Sequence, residues 1–356
     1  MSKRALIAMS GGVDSSVAAY LTQKLGYECE GITMKLYDNG DIVCSEKSCC
    51  SLDDIDDARS ACRNIGIPHT VYNFKDSFKE NVISRFISAY ENGATPNPCI
   101  DCNRFIKFKE LVNRAEVLNF DCVVTGHYAR VEYDEKSGRY LLKKAVDASK
   151  DQSYVLYSLT QEQLSKILFP LGEMTKDEAR EVARSLGLIN AEKHDSQDIC
   201  FVPDGDYTAF IRKYTGKDYP EGDFVDTEGN VLGTHKGIIG YTVGQRKGLG
   251  LALPAPMYVK EKDLENNRVV LCDNASLLSK ELLANDINLI TVDEITSPLR
   301  VCARVRYNQK EQPATVTQLD KDTIRVVFDE PQRAISKGQA VVLYDGDVVV
   351  GGGTII

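Results

Sequence analysis

No stretch of this chain is long and apolar enough for a membrane span or the core of an export signal; the apolar run Leu6 to Met9 meets Ser10 and Asp14 within a few positions. That lack predicts a cytoplasmic protein with no membrane partner. An excess of positive charge is missing too. Lys and Arg number 43 against 52 Asp and Glu, a net charge of −9, which argues against a basic nucleic-acid coat but leaves room for a local patch. Eleven cysteines without an export signal are not expected to form a disulfide framework. Cys29, Cys62, Cys122 and Cys272 sit in or near apolar patterns and read as small core residues.

What remains is ordinary globular usage, 43% hydrophobic and 27% charged, over 356 residues, enough for two or three domains. The chain is organised around Ala5 to Ser16. Leu6 to Met9 suits a buried strand, and Val13, Val17, Ala18, Leu21 and Leu25 keep helical spacing. Ser10-Gly11-Gly12 lies between them, where glycine lets a ligand approach the backbone and the N–H groups opening the helix face an anion. Ser15 adds a hydroxyl, and Asp14 a carboxylate within reach of a phosphate-bound magnesium ion. The turn has neither the Gly-Lys-Ser/Thr ending of the commoner phosphate loop nor the spaced glycines of a dinucleotide fold. It resembles the Ser-Gly-Gly-x-Asp-Ser signature of the PP-loop ATP pyrophosphatases, a resemblance that implies cleavage of ATP between its α and β phosphates.

Strands are expected at Glu28 to Met34, Ile67 to Phe74 and Asp121 to Thr125, with helices from Ser51 through Ile65 and over Ser77 to Tyr90. This alternation predicts a parallel sheet covered by helices on both faces. Met34, at a strand's carboxyl end, reads as core or as an adenine neighbour, and Gly126 again suits close approach to a nucleotide. Cys44, Cys49 and Cys50 in a polar loop give weak support for a metal. Pro96 and Pro98 lead to Cys99-Ile-Asp-Cys102, placed just before a helix expected near Asn103, whose N-terminus would favour a Cys102 thiolate. Cys99 reads as a resolving thiol, a metal partner or a silent neighbour. His127 reads as structural. Lys150-Asp151-Gln152 offers a cation, a carboxylate and an amide together, for a phosphate, a base or an ordinary solvated turn. Thr175-Lys-Asp-Glu178 is a capping box.

After Pro203 the composition shifts. Gly237 to Gly250 is glycine-rich and carries Arg246 and Lys247, and from Leu282 short alternating runs point to a small β-barrel. Arg300, Arg304, Arg306 and Lys310 cluster without an intervening acid, a candidate nucleic-acid face or a solvated strand. The expected organisation is α/β: an adenine-nucleotide α-hydrolase-like (PP-loop) domain over 1–205, a small central domain over 206–280 and a C-terminal β-barrel over 281–356.

Together the stretches Ser10-Gly-Gly-Val-Asp-Ser15, Thr95-Pro-Asn-Pro-Cys-x-x-Cys-Asn103, Thr125-Gly-His-Tyr128, Lys150 to Tyr154, Asp195-Ser-Gln-Asp-Ile-Cys200 and Tyr241 to Gly250 resemble, nearly end to end, the tRNA-specific 2-thiouridylases. The resemblance implies that ATP adenylates the C2 oxygen of the wobble uridine, after which sulfur displaces AMP. It maps ATP contacts to Ala8, Met9, Ser10, Gly11, Gly12, Val13, Asp14, Ser15, Met34 and Gly126, with Mg2+ alongside. Cys102 matches the nucleophile and Cys200 the persulfide carrier, loaded by an upstream donor protein. Lys150, Asp151, Gln152, Arg306 and Tyr307 match tRNA contacts. Some family members have Asp where this chain has Cys99. Two mechanisms then stand: a Cys200 persulfide resolved by Cys102 through a disulfide, or a [4Fe-4S] cluster on Cys99, Cys102 and Cys200 with one open iron. Zinc on the same thiols is a further alternative. The persulfide route is preferred.

Overall fold

The structure is a computed structural model that describes residues 2–37, 52–193 and 199–356. Cys44, Cys49, Cys50 and the Asp195 to Asp198 part of the Cys200 motif lie outside the described residues. The chain forms two compact units. The first comprises 1–83, 98–205 and 346–350, and the second 84–97, 206–345 and 351–356.

The first unit is built on a parallel sheet of β1 (Arg4–Ala8), β2 (Glu28–Lys35), β3 (His69–Asn73), β4 (Cys122–Val124) and, later in the chain, Ile167–Leu168. Ala5, Leu6 and Ile7 are fully buried, as expected for the central strand of a sheet covered on both faces. β1 is flanked by β2 on one side and β4 on the other, and β3 lies outside β2. The chain therefore winds outward through β2 and β3 and returns across β1 to β4. That reversal opens a crevice at the carboxyl ends of β1 and β4, where ligands of such sheets gather. Helix α1 (Val13–Lys24) buries Val13, Val17, Ala18 and Ala19, and α2 (Leu52–Ile65) buries Ala58, Ala61 and Cys62. Cys62 packs directly on the β2 backbone, where a Cβ on Gly31 would lie 2.6 Å from its Sγ.

A hairpin of β5 (Ala129–Asp134) and β6 (Arg139–Lys144) continues this unit, and Val348 pairs with Lys143 along its edge. Arg130 is ion-paired with Asp347 at 2.8 Å.

In the second unit, four strands within Gly222–Cys272 form one sheet around Phe224, Val259, Val269 and Leu271. Helix Ser84–Glu91 belongs to this unit, with Tyr90 stacked on Tyr207 at 4.5 Å. The strands Leu278–Leu289, Leu299–Arg304, Gln312–Gln318, Ile324–Arg333 and Ala340–Asp345 follow, with the 351–355 part of Val348–Ile355, and the first closes on the last through Ala284 and Ile355. The alternation read in the sequence is thus a closed β-barrel.

Candidate nucleotide and thiol site

Gly11 leaves β1 with φ +75°, a conformation that favours glycine, and its Cα faces the Asp54 backbone so closely that a Cβ would lie 2.4 Å from the Asp54 carbonyl oxygen. The turn is braced from within. Ser15 Oγ donates to the Gly12 carbonyl at 3.0 Å, and the Ser10 N–H donates to Ser15 Oγ at 3.2 Å. Asn190 supports it from behind, its Nδ2 donating to the Gly11 carbonyl at 2.9 Å and to Ser16 Oγ at 3.1 Å. Lys193 bridges Asp54 and Asp57 at 2.7 Å each; burial alone would lower its pKa, but the two carboxylates hold it above the usual lysine range. The main-chain N–H groups that open α1 lie beyond Gly12, next to where the turn would hold a phosphate.

Gly126, at the end of β4, meets this turn. A Cβ there would lie 2.6 Å from the Asp14 carbonyl carbon and 2.8 Å from the Ser15 nitrogen, both backbone atoms that have nowhere to move. Gly126→Ala is therefore expected to destabilise the protein by about 1–3 kcal/mol and to weaken ATP binding. A denaturant midpoint and an ATP titration check both effects, and wild-type values in each would remove Gly126 from the site.

Asp14 is held by groups from distant parts of the chain. Lys176 Nζ donates to both its carboxylate oxygens at 2.8 Å, and the Tyr128 hydroxyl donates to Oδ1 at 2.9 Å. Oδ2 takes one donor and keeps a lone pair, so the carboxylate fits a magnesium ion at that oxygen. Lys176 is 5% exposed and begins the helix Lys176–Ser185, a position where the helix dipole disfavours a cation. The predicted capping box is present, Thr175 and Glu178 exchanging bonds, but the sequence reading missed that it delivers Lys176 to the nucleotide turn. The available signal was a lysine at the wrong end of a helix.

Met34 is half-buried at the carboxyl end of β2, beside the strand that feeds the turn. His127 is structural, as read: burial first and the Lys107 charge second push its pKa well below the usual value. The neutral ring lies 2.6 Å from Thr125 Oγ1 and 3.5 Å from Lys107 Nζ.

Burial sorts the thiols. Cys29, Cys62 and Cys122 are buried, with pKa values pushed up to about 11, 12 and 12 by desolvation, and Cys272 is buried and raised for the same reason. Such thiols are poor nucleophiles at neutral pH. Cys99 is exposed, while Cys102 and Cys200 are part-exposed, as is Cys302 in the second unit. The helix expected to begin near Asn103 begins instead at Pro98, with Pro98–Asp101 as its first turn and a π-helical segment over Cys102–Glu110. Proline needs no N–H partner at the first helical position, so it starts this helix rather than delaying it. The positive end of the helix accordingly falls on the turn of Cys99, one turn before Cys102. Cys200 is held by its neighbours: the Tyr37 hydroxyl donates to its carbonyl at 3.0 Å, and Phe201 packs edge-on against the fully buried Phe78 at 5.8 Å. Among the described residues no group of three or more His, Cys, Asp or Glu side chains lies close enough to hold a metal ion. Among the described residues Cys99, Cys102 and Cys200 do not form such a group.

Of the residues matched to tRNA, Lys150 is half-buried and Tyr307 is exposed. Asp151 is buried, and its carboxylate accepts from the Ala145 and Ser153 N–H groups and from Ser153 Oγ. Arg306 Nη2 donates to the Ala334 and Val243 carbonyls and to Ser336 Oγ. The basic cluster read without an acid acquires acids from neighbouring strands and turns. Asp329 takes both Nη atoms of Arg300 at 2.8 Å, and Glu311 takes Arg304 at 2.9 Å.

Residues 3–204 match the family model described as tRNA methyl transferase HUP domain, 208–273 that of the tRNA methyl transferase PRC-barrel domain, and 279–355 that of the aminomethyltransferase beta-barrel domain. A tRNA-specific 2-thiouridylase MnmA of Clostridioides difficile is 54% identical over 355 residues, covering 100% of this chain and 98% of the relative. Its counterpart in Acetivibrio thermocellus is 53% identical over 355 residues, covering 99% of both chains. A tRNA-specific 2-thiouridylase MnmA 1 of Thermoanaerobacter sp. is 54% identical over 354 residues, covering 99% of this chain and 97% of the relative. With three successive family matches and relatives aligned over essentially the whole chain, this protein belongs to the tRNA-specific 2-thiouridylase family.

Proposed function

We propose that this protein is an ATP-dependent tRNA sulfurtransferase that converts the wobble uridine to 2-thiouridine through a persulfide on Cys200. The observation that carries the reading is the make-up of the first unit, which holds both an anion-binding turn braced on Asp14 and Lys176 and two part-exposed thiols set apart from the buried ones. A ring carbonyl oxygen is a poor leaving group, so it must first be activated. The turn from Ala8 to Ser15 and Gly126 orient the phosphates of ATP, and Met34 lies towards the adenine. Magnesium on Asp14 Oδ2 would offset phosphate charge. Lys176 neutralises the departing pyrophosphate as the uridine O2 attacks the α phosphorus.

The terminal sulfur of the Cys200 persulfide then adds to C2 of the uridine and AMP leaves with the O2 atom. The Cys102 thiolate attacks Cys200 Sγ, and the electron pair of the broken sulfur–sulfur bond closes the C2 thiocarbonyl. Cys102 and Cys200 are left as a disulfide, which an external dithiol reduces. A persulfide donor protein reloads Cys200, and Cys99 is a neighbouring thiol outside this sequence of steps. Lys150 and Tyr307 face the RNA, and Asp151, Gln152 and Arg306 serve it by shaping the loops that carry them. We place the work of the protein in the cytoplasm; among the described residues no helix is long and apolar enough to cross a membrane.

The test is to purify the protein without air, determine its iron, and assay thiolation of unmodified tRNA with ATP and a persulfide donor before and after chelation. The expected result is full activity in iron-free protein with one extra sulfur on Cys200 by mass spectrometry. Iron-dependent thiolation that chelation stops would replace the persulfide route with the cluster.

A further inference from the structure

Tyr128 stands where three parts of the first unit meet. Its main chain is clasped at both polar groups by Gln152: the Gln152 N–H donates to the Tyr128 carbonyl at 2.9 Å, and the Tyr128 N–H donates to Gln152 Oε1 at 2.9 Å. Its ring is 2% exposed, and its hydroxyl reaches Asp14. Within the loop that holds the clasp, Asp151 ties the Ala145 and Ser153 N–H groups and Ser153 Oγ together, so the segment shifts as one piece. Three residues beyond Gln152, the Val155 carbonyl accepts from Asn103 Nδ2 at 3.1 Å, and Asn103 directly follows Cys102. One loop is thus tied both to the carboxylate of the nucleotide turn and to the neighbour of the nucleophilic cysteine.

We propose that Tyr128 is a positioning residue that couples RNA bound on the Lys150 to Gln152 loop to Asp14, so that tRNA and ATP bind cooperatively. The inference rests on the reading that this loop faces tRNA. Lys176 is shared between Asp14 and any incoming phosphate, so it does not fix the carboxylate once ATP arrives. The Tyr128 hydroxyl does, and its main chain cannot shift without breaking two hydrogen bonds to Gln152. RNA that sets this loop therefore sets the rotamer of Asp14. By reciprocity, ATP seated against Asp14 favours the loop arrangement that binds RNA.

The experiment measures the affinity of the full chain for α,β-methylene ATP with magnesium, with and without unmodified tRNA. In the wild type tRNA is expected to tighten binding at least about fivefold. In Tyr128→Phe, which removes one oxygen and keeps the buried ring, and in Gln152→Leu, that ratio is expected to fall to within about twofold of unity. A merely structural role would weaken binding equally with and without tRNA and leave the ratio intact. An unchanged ratio in Tyr128→Phe, or no coupling in the wild type, overturns the proposal. Lys150→Glu separates the premise: if it leaves tRNA affinity unchanged, the RNA-facing reading of the loop fails by itself.

Discussion

Cys200→Ser is expected to lower tRNA thiolation by about 10^4-fold or more while exchange of pyrophosphate into ATP, measured with tRNA present, stays within about threefold of wild type. In the proposed route adenylation needs the nucleotide turn and the uridine oxygen but no thiol, whereas every later step passes through the sulfur on Cys200. Cys102→Ser is expected to leave exchange equally intact and to stall after sulfur has joined C2, with tRNA attached to Cys200 through a disulfide that added dithiol cleaves to 2-thiouridine. Gel electrophoresis without reductant detects that species. Loss of exchange in both variants would mean that the cysteines shape the nucleotide site and would remove the separation of half-reactions. Thiolation that survived Cys200→Ser would end the persulfide route outright. Cys29, Cys62 and Cys122 are not substitutes, because burial keeps them protonated at neutral pH.

The features legible in the sequence were those whose meaning is local. The strand, turn and helix from Ala5 to Ser16 announce themselves by a short apolar run, two glycines and helical spacing, and the helix begins at Val13 as read. The buried cysteines were visible because they fall on apolar patterns. What sequence reading missed is defined by partners far along the chain. Lys176 meets Asp14 across 162 residues, Tyr128 meets it across 114, and Asn190 reaches Gly11 across 179. No window of periodicity spans such distances. Arg300 looked unpaired for the same reason, because Asp329 comes from a strand 29 residues later. Pro98 misled in a different way: its ring ends a helix in the interior but is well suited to begin one, and position alone decides which.

Lys176→Met is expected to lower pyrophosphate exchange by about 10²–10³-fold with tRNA affinity unchanged, because the cation that pairs with Asp14 at the nucleotide turn is removed. Stability should respond as well. The lysine side chain is 7% exposed and that of Asp14 30%, so the pair is desolvated on one side and partly hydrated on the other. Removing Lys176 leaves the Asp14 carboxylate, among the described residues, with the Tyr128 hydroxyl, a loss of about 2 kcal/mol after allowance for that hydration. Asp14→Asn added to Lys176→Met removes the unpaired charge. The double variant should regain most of the lost stability in a urea melt yet stay as inactive in exchange as the single one. Lys176→Arg sharpens the distinction, since a guanidinium keeps the charge but its planar fork does not fit the compact site of an ammonium held by one carboxylate at 2.8 Å. It should hold stability closer to wild type than Lys176→Met does while exchange remains impaired. Exchange at the wild-type rate in Lys176→Met would show that the buried lysine belongs to the fold and not to the phosphates.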